Sequence, residues 1–178
     1  MKKILKFSGI AAFAIALVAF ILMMSTNAIT YHLDAGALGS TDFAYSGIQG
    51  IFGGEVKGSI GGMTFTAGSI AATWSAVIAF ILMIAAMLIL LAGFILPLLK
   101  IHALDKVAGV LNLVAVIALV VAGIFIFIET PCFMGANGVE SYDGWTLGAG
   151  WIVAGILAIL GGIVAIVPAA FDFISKKR

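Results

Sequence analysis

Four stretches of this chain run for eighteen residues or more without a charged side chain, and short polar or glycine-rich segments separate them. Residues 7–24 form the first, directly after the basic opening MKKILK. Spans of about 7–26, 70–99, 107–128 and 148–170 follow from this pattern. At a rise of ~1.5 Å per residue, about 20 helical residues reach ~30 Å, the thickness of a bilayer's hydrocarbon core. The second apolar run is the longest. If helical from 70 to 96 it would exceed that thickness, so it should tilt or project. Pro97 is placed to end or kink it.

The connecting segments differ in character. Residues 100–106 (KIHALDK) form a tight polar turn. Residues 27–69 form a long loop, dense in glycine from position 47 onward. Within it Phe43, Tyr45, Ile48, Ile51 and Phe52 are too apolar for a solvated coil. Alternation at Phe43/Tyr45 and Met63/Phe65 predicts two to four short strands with glycine turns. In the second loop, 129–147, the dipeptides Asn137-Gly138 and Asp143-Gly144 suit a short hairpin.

Small residues recur every fourth position on the apolar stretches. Gly150, Ala154, Ala158 and Gly162 form one such row on the last span, and Ser8, Ala12 and Ala16 form another on the first. In lipid, helices gain little from apolar burial, and rows of small residues let backbones approach closely enough for dispersion contacts. Trp74, Trp145 and Trp151 sit near span ends, where indoles anchor at the headgroup level.

Composition settles the class. The chain has 178 residues, 63% hydrophobic and 10% charged. Soluble domains carry roughly 25% charged residues, so this is a polytopic membrane composition. The basic start and the small residues of Thr26-Asn27-Ala28 would also suit a cleaved signal peptide. The apolar run exceeds the usual signal core, and a retained first span is expected.

Charge is partitioned by side. The termini and the 100–106 turn carry eight basic residues against Asp105 and Asp172, a net of +6. The two longer loops carry Lys57 against six acidic residues, a net of −5. The positive-inside rule then puts both termini in the cytoplasm and both loops outside a cytoplasmic (plasma) membrane.

Candidate chemistry is sparse. No Asp, Glu, Lys, Arg or His lies within the four spans, whereas ion-coupled transport and intramembrane proteolysis rely on such groups. Asn112 is the one strongly polar span residue, and it is read as bonding a neighbouring helix or a headgroup. Glu129, at the end of the third span, is read as an interfacial carboxylate in water. His32 and Asp34, with Asp42 or Glu55, fall short of the four ligands of a structural zinc site. Cys132 is the single cysteine, which excludes a disulfide within the chain and leaves an inter-subunit one open. No hydrolase, protease, P-loop or dinucleotide fingerprint is present. The basic residues cluster at span ends and form no face for nucleic acid.

Four spans, cytoplasmic termini, a larger strand-prone first outer loop, a short inner turn and a smaller second outer loop together resemble the claudin and peripheral-myelin-protein plan. That resemblance implies an extracellular sheet above a helix bundle. It is one of topology only. The family's Trp, Gly-Leu-Trp and two cysteines have no counterpart in the first loop, so its disulfide and its adhesive activity map onto no residue here.

The expected fold is an all-α four-helix transmembrane bundle, one membrane domain with a small extracellular β-hairpin or sheet. The expected function is non-enzymatic: a scaffold or junction-like protein acting by self-assembly or by association with a membrane partner, in contact with lipid and without a cofactor or metal. Gly150, Ala154, Ala158, Gly162, Ser8, Ala12 and Ala16 would pack helices. Phe43, Tyr45, Ile48, Ile51 and Phe52 would form the assembly loop. The alternative is an oligomeric pore or an accessory subunit of a transport complex.

Overall fold

The structure, a computed structural model, describes residues 2–34, 40–60, 63–96 and 102–174. Four long helices carry the chain: α1 (Lys2–Ser25), α3 (Trp74–Ile95), α4 (His102–Phe127) and α6 (Ala149–Ile174). Each contains a stretch long and apolar enough to cross a membrane. All other described elements sit at the end where α1 and α4 finish and α3 and α6 begin, here called the cap end. They are the strands β1 (Asn27–Asp34), β2 (Ser40–Ser46), β3 (Gly54–Ile60), β4 (Met63–Ile70) and β5 (Trp145–Leu147), and the short helices α2 (Gly47–Phe52) and α5 (Glu129–Asn137).

The helices pack as a ring. α6 lies between α1 and α4, α4 also packs on α3, and α3 meets α1. The facing positions are small: Ala12 and Ala16 on α1, Ala86 on α3, Ala115 and Ala122 on α4, and Ala158 on α6 are all fully buried. Apart from Met83, Leu90 and Leu119, which are buried, many large aliphatic side chains point the other way, with Leu88 63% and Ile117 57% exposed. This is the inverse of a water-soluble bundle. It suits lipid, where a leucine gains nothing by turning inward but close backbones gain dispersion contacts. A close crossing joins Gly123 of α4 to Gly155 of α6, where a Cβ on Gly123 would stand 3.0 Å from the Gly155 carbonyl oxygen. Asn112 is buried, and its side chain lies over Gly93 of α3, where any Cβ would strike the amide.

The cap holds two antiparallel sheets, ordered β2-β1-β5 and β3-β4. Tyr31 pairs with Phe43 on one side and Trp145 on the other, so both long loops share one sheet. The last turn of α1 is satisfied by local and distant donors. The Ser25 hydroxyl donates to the Ile21 carbonyl and the Thr26 hydroxyl to that of Leu22, each at 2.7 Å. The Trp151 indole Nε1 donates to the Met23 carbonyl at 2.8 Å. Two of the four carbonyls that the end of α1 leaves without an intrahelical partner, those of Leu22 and Met23, are thus paired where the chain enters the cap.

Several expectations are corrected. The second helix begins at Trp74 rather than near 70, because Ile70 is the last residue of β4, paired with Gly54. A continuous apolar run does not separate a strand from the helix that follows it. The helix is 22 residues, about 33 Å at the standard rise, so the excess length disappears. The second loop is helical over Glu129–Asn137, and residues 138–144, where a hairpin was expected, form no strand. Gly138 is its left-handed C-cap, φ 66°, and Asn-Gly serves a helix stop as well as a turn because both need that conformation. Trp151 is fully buried, not an interfacial anchor. Residues 102–106, expected in the polar turn, already belong to α4. Pro97 lies outside the described residues.

Candidate functional site at the cap end

The most unusual chemistry in the molecule is the joint between α5 and α3. α4 ends at Phe127, and α5 starts after Ile128, whose backbone (φ −90°, ψ 9°) breaks the helix axis. Pro131 falls in the first turn of α5, where its missing N–H is not needed. Glu129 is the first residue of that turn and is 0% exposed.

On the opposite side stands the N-terminus of α3. Its N-cap residue, Thr73, makes no side-chain cap hydrogen bond. Glu129 occupies that place instead. The Ser75 hydroxyl donates to Glu129 Oε2 at 2.5 Å, and the Thr73 hydroxyl and Ala76 N–H face the same carboxyl. The helix N-terminus, with its unpaired N–H groups and positive dipole end, favours such a partner. Two atoms are left over: Glu129 Oε1 and Thr73 Oγ1 are buried without a well-formed hydrogen bond. The backbone of Gly50 in α2 closes over Oε1, where a Cβ would stand 3.5 Å away. Burial pushes the Glu129 carboxyl up to about 7, against the opposing pull of Ser75, Thr73 and the Ala76 N–H. The expectation of a water-exposed interfacial carboxylate is therefore overturned. In sequence, an acid just past an apolar span reads as solvated, and only the return of the chain over it removes the water.

α5 is fastened at its other end as well. Asn137 Oδ1 accepts from the Ala71 N–H at 2.8 Å, and its Nδ2 donates to the Phe133 carbonyl at 2.9 Å. One turn beyond Glu129, Phe133 is buried against Tyr45 and Trp145, with ring centroids 5.2 and 5.6 Å apart. Trp145 stacks on Tyr31 at 4.5 Å. Burial, and then the neighbouring Tyr31, raises the Tyr45 phenol. α5 thus joins the sheet to the start of α3.

The expected site residues fall in different places. Ala154, Ala158, Ala12 and Ala16 are fully buried, Gly162 is buried, and Ser8 and Gly150 are half-buried. The 150–162 row does not face one helix throughout. Gly150 stands over Thr26 at the end of α1, whereas Gly162 lies on Val116 and Val120 of α4. A four-residue step overshoots the 3.6-residue turn by about 40°, so such a row drifts around its helix. In the expected assembly loop, Ile51 is buried and Tyr45 is taken up by the aromatic cluster, while Phe43, Ile48 and Phe52 remain exposed. His32 and Asp42, directly paired across β1 and β2, lie 2.6 Å apart through Nδ1 and Oδ1 at the surface. Glu55 belongs to the other sheet, and no group of three potential metal ligands forms among the described residues. Cys132 is half-buried on α5.

α2 escaped the sequence reading, though a signal was present. Ser46-Gly-Ile-Gln49 is a capping box: the Gln49 N–H donates to Ser46 Oγ at 3.3 Å, and the Ser46 N–H donates to Gln49 Oε1 at 2.9 Å. Nothing local marked Gly123 and Gly155 as a close crossing, since they lie outside the four-residue rows.

No protein-family model and no curated protein sequence matches the chain. The fold defines the class: a small helical bundle with four membrane-competent helices and a β-bearing cap, the build of a multi-pass membrane protein.

Proposed function

We propose that the chain is a non-enzymatic four-span protein of the cytoplasmic membrane that works by associating with copies of itself or with a membrane partner through its cap. The observation that carries this reading is the state of the sheet edges. β2 is the outer strand of its sheet, and β3-β4 is a ribbon of only two strands. Open edges present unpaired N–H and C=O groups, and a two-stranded ribbon is marginal alone, so both are completed by a further strand. The exposed Phe43, Ile48 and Phe52 lie beside these edges in the chain and add apolar surface.

The charge partition puts the cap outside and the termini in the cytoplasm. The union of both outer loops in one sheet above four helices is the point of resemblance to the claudin plan. A pore, the alternative reading, would have to run between copies, because Met83, Leu90 and Leu119 fill the interior of one bundle.

Native mass spectrometry of the purified chain in nanodiscs tests the proposal. A discrete oligomer that Phe43→Asp weakens is the expected result. A monomer at every concentration overturns self-assembly, and a co-purifying membrane protein of fixed stoichiometry supports the partner form.

A further inference from the structure

An ionised carboxylate has only lone pairs to offer, and at the α5–α3 joint it would have to bury a charge without a counter-charge. Among the described residues, no charged side chain acts on Glu129. The stretches 74–95 of α3, 107–127 of α4 and 149–170 of α6 contain no ionisable residue, and neither does α2. On α5 itself the nearest titratable group is Cys132, one turn on. From β2 it is Tyr45, which lies against Phe133. On β1, Tyr31 is occupied with Trp145 and His32 with Asp42. A buried charge in such surroundings is costly and is relieved by neutralisation or by movement into water.

The carboxyl is 0% exposed, and its Oε1 is buried without a hydrogen-bond partner, an environment that favours the neutral form over the ionised one. Oε2 continues to accept from Ser75 at 2.5 Å.

We propose that Glu129 is a proton-operated latch: its neutral carboxyl fastens α5 to the start of α3 through Ser75 and Thr73, and loss of that proton to solvent releases the joint. The covering over Oε1 is the backbone of Gly50, so the ionised group reaches water only if α5 moves away from α2 and α3. Phe133 and Met134 on the same helix are core residues, and Phe133 touches both Tyr45 and Trp145. Release therefore loosens the three-stranded sheet as well as α5. A carboxyl held up to about 7 by burial makes the change in the neutral range.

Cys132 supplies the test, because it is the single cysteine and sits on the moving element. The full chain in nanodiscs is labelled with a water-soluble maleimide across the pH range. Each rate is divided by that of Glu129→Gln, a neutral variant whose amide can donate to Thr73. The division removes every pH effect that the two proteins share. The expected ratio is near one at about pH 6 and rises several-fold by about pH 8.5, as the carboxyl ionises. A ratio that stays flat overturns the latch. Should Glu129→Gln fail to fold, infrared spectroscopy of the wild type decides. A buried protonated-carboxyl band that disappears across the same range supports the latch, and its absence throughout overturns it. The readout is local to α5, so it stands apart from the assembly proposal, which mass alone decides.

Discussion

The indole of Trp151 donates its hydrogen bond to the backbone carbonyl of Met23 and so ties the first turn of α6 to the last turn of α1. The bond joins residues 128 positions apart in the chain. It lies in the buried cluster that also holds Ile29, Ile51 and Ala154, where helices and cap meet.

Trp151→Phe should keep most of the packing and strand the Met23 carbonyl, at a cost of about 1–3 kcal/mol. Trp151→Ala adds a cavity and should cost about 3–5 kcal/mol. Thermal unfolding of both variants in the same detergent checks the order. Equal loss in the two would show that the lost hydrogen bond dominates and the cavity contributes little.

Gly47 supports the same corner. A side chain there would collide with the Met23 carbonyl and approach the Trp151 Nε1, and Met23 O is backbone that cannot step aside. Gly47→Ala is expected to destabilise the cap and raise its hydrogen exchange. Gly135, on the exposed face of α5 with open space around it, is the control. Gly135→Ala should be neutral or stabilising by up to about 1 kcal/mol, the helix-propensity difference.

Ala154→Leu and Ala158→Leu each place a large side chain where α6 now presents a fully buried methyl group. Overpacking of this kind costs about 1–3 kcal/mol. Ile163→Leu, on an exposed apolar position, should leave unfolding unchanged. Unchanged stability of both alanine variants in detergent would remove helix packing as the role of these positions.

The stability of the whole chain should depend on pH through Glu129. Its carboxyl is raised in the folded state from 4.5 to about 7, so between those values the folded protein holds a proton that the unfolded chain has released. Stability is therefore greatest below about 4.5, falls as pH rises through about 7, and levels off beyond. The full difference corresponds to roughly 3 kcal/mol. Unfolding of the wild type, measured relative to Glu129→Gln across this window, should show the loss. A constant difference between the two would mean that Glu129 ionises alike in both states.

The four membrane-competent helices were legible from residue order alone, because a lipid solvent imposes a one-dimensional requirement: about 20 apolar residues without a charge. The charge partition and the strand-forming character at Phe43/Tyr45 and Met63/Phe65 were legible for the same reason, since each rests on neighbours in the chain, whereas strand β1 and helix α2 were not. The hairpin expected between Asn137-Gly138 and Asp143-Gly144 failed where two structures share a local signal, the glycine of Asn137-Gly138 serving a helix end. Tertiary structure alone decided the rest. β5 joins β1 through contacts such as Thr30 to Thr146, 2.7 Å apart and 116 residues distant in sequence. The drift of the 150–162 row between α1 and α4 depends on where those helices lie. Above all, Glu129 reads in sequence as an acid at a water interface, and it becomes a sealed carboxyl only because α2, α3 and α5 converge over it. Hydropathy is a property of each residue, but desolvation belongs to whatever the rest of the chain brings against it.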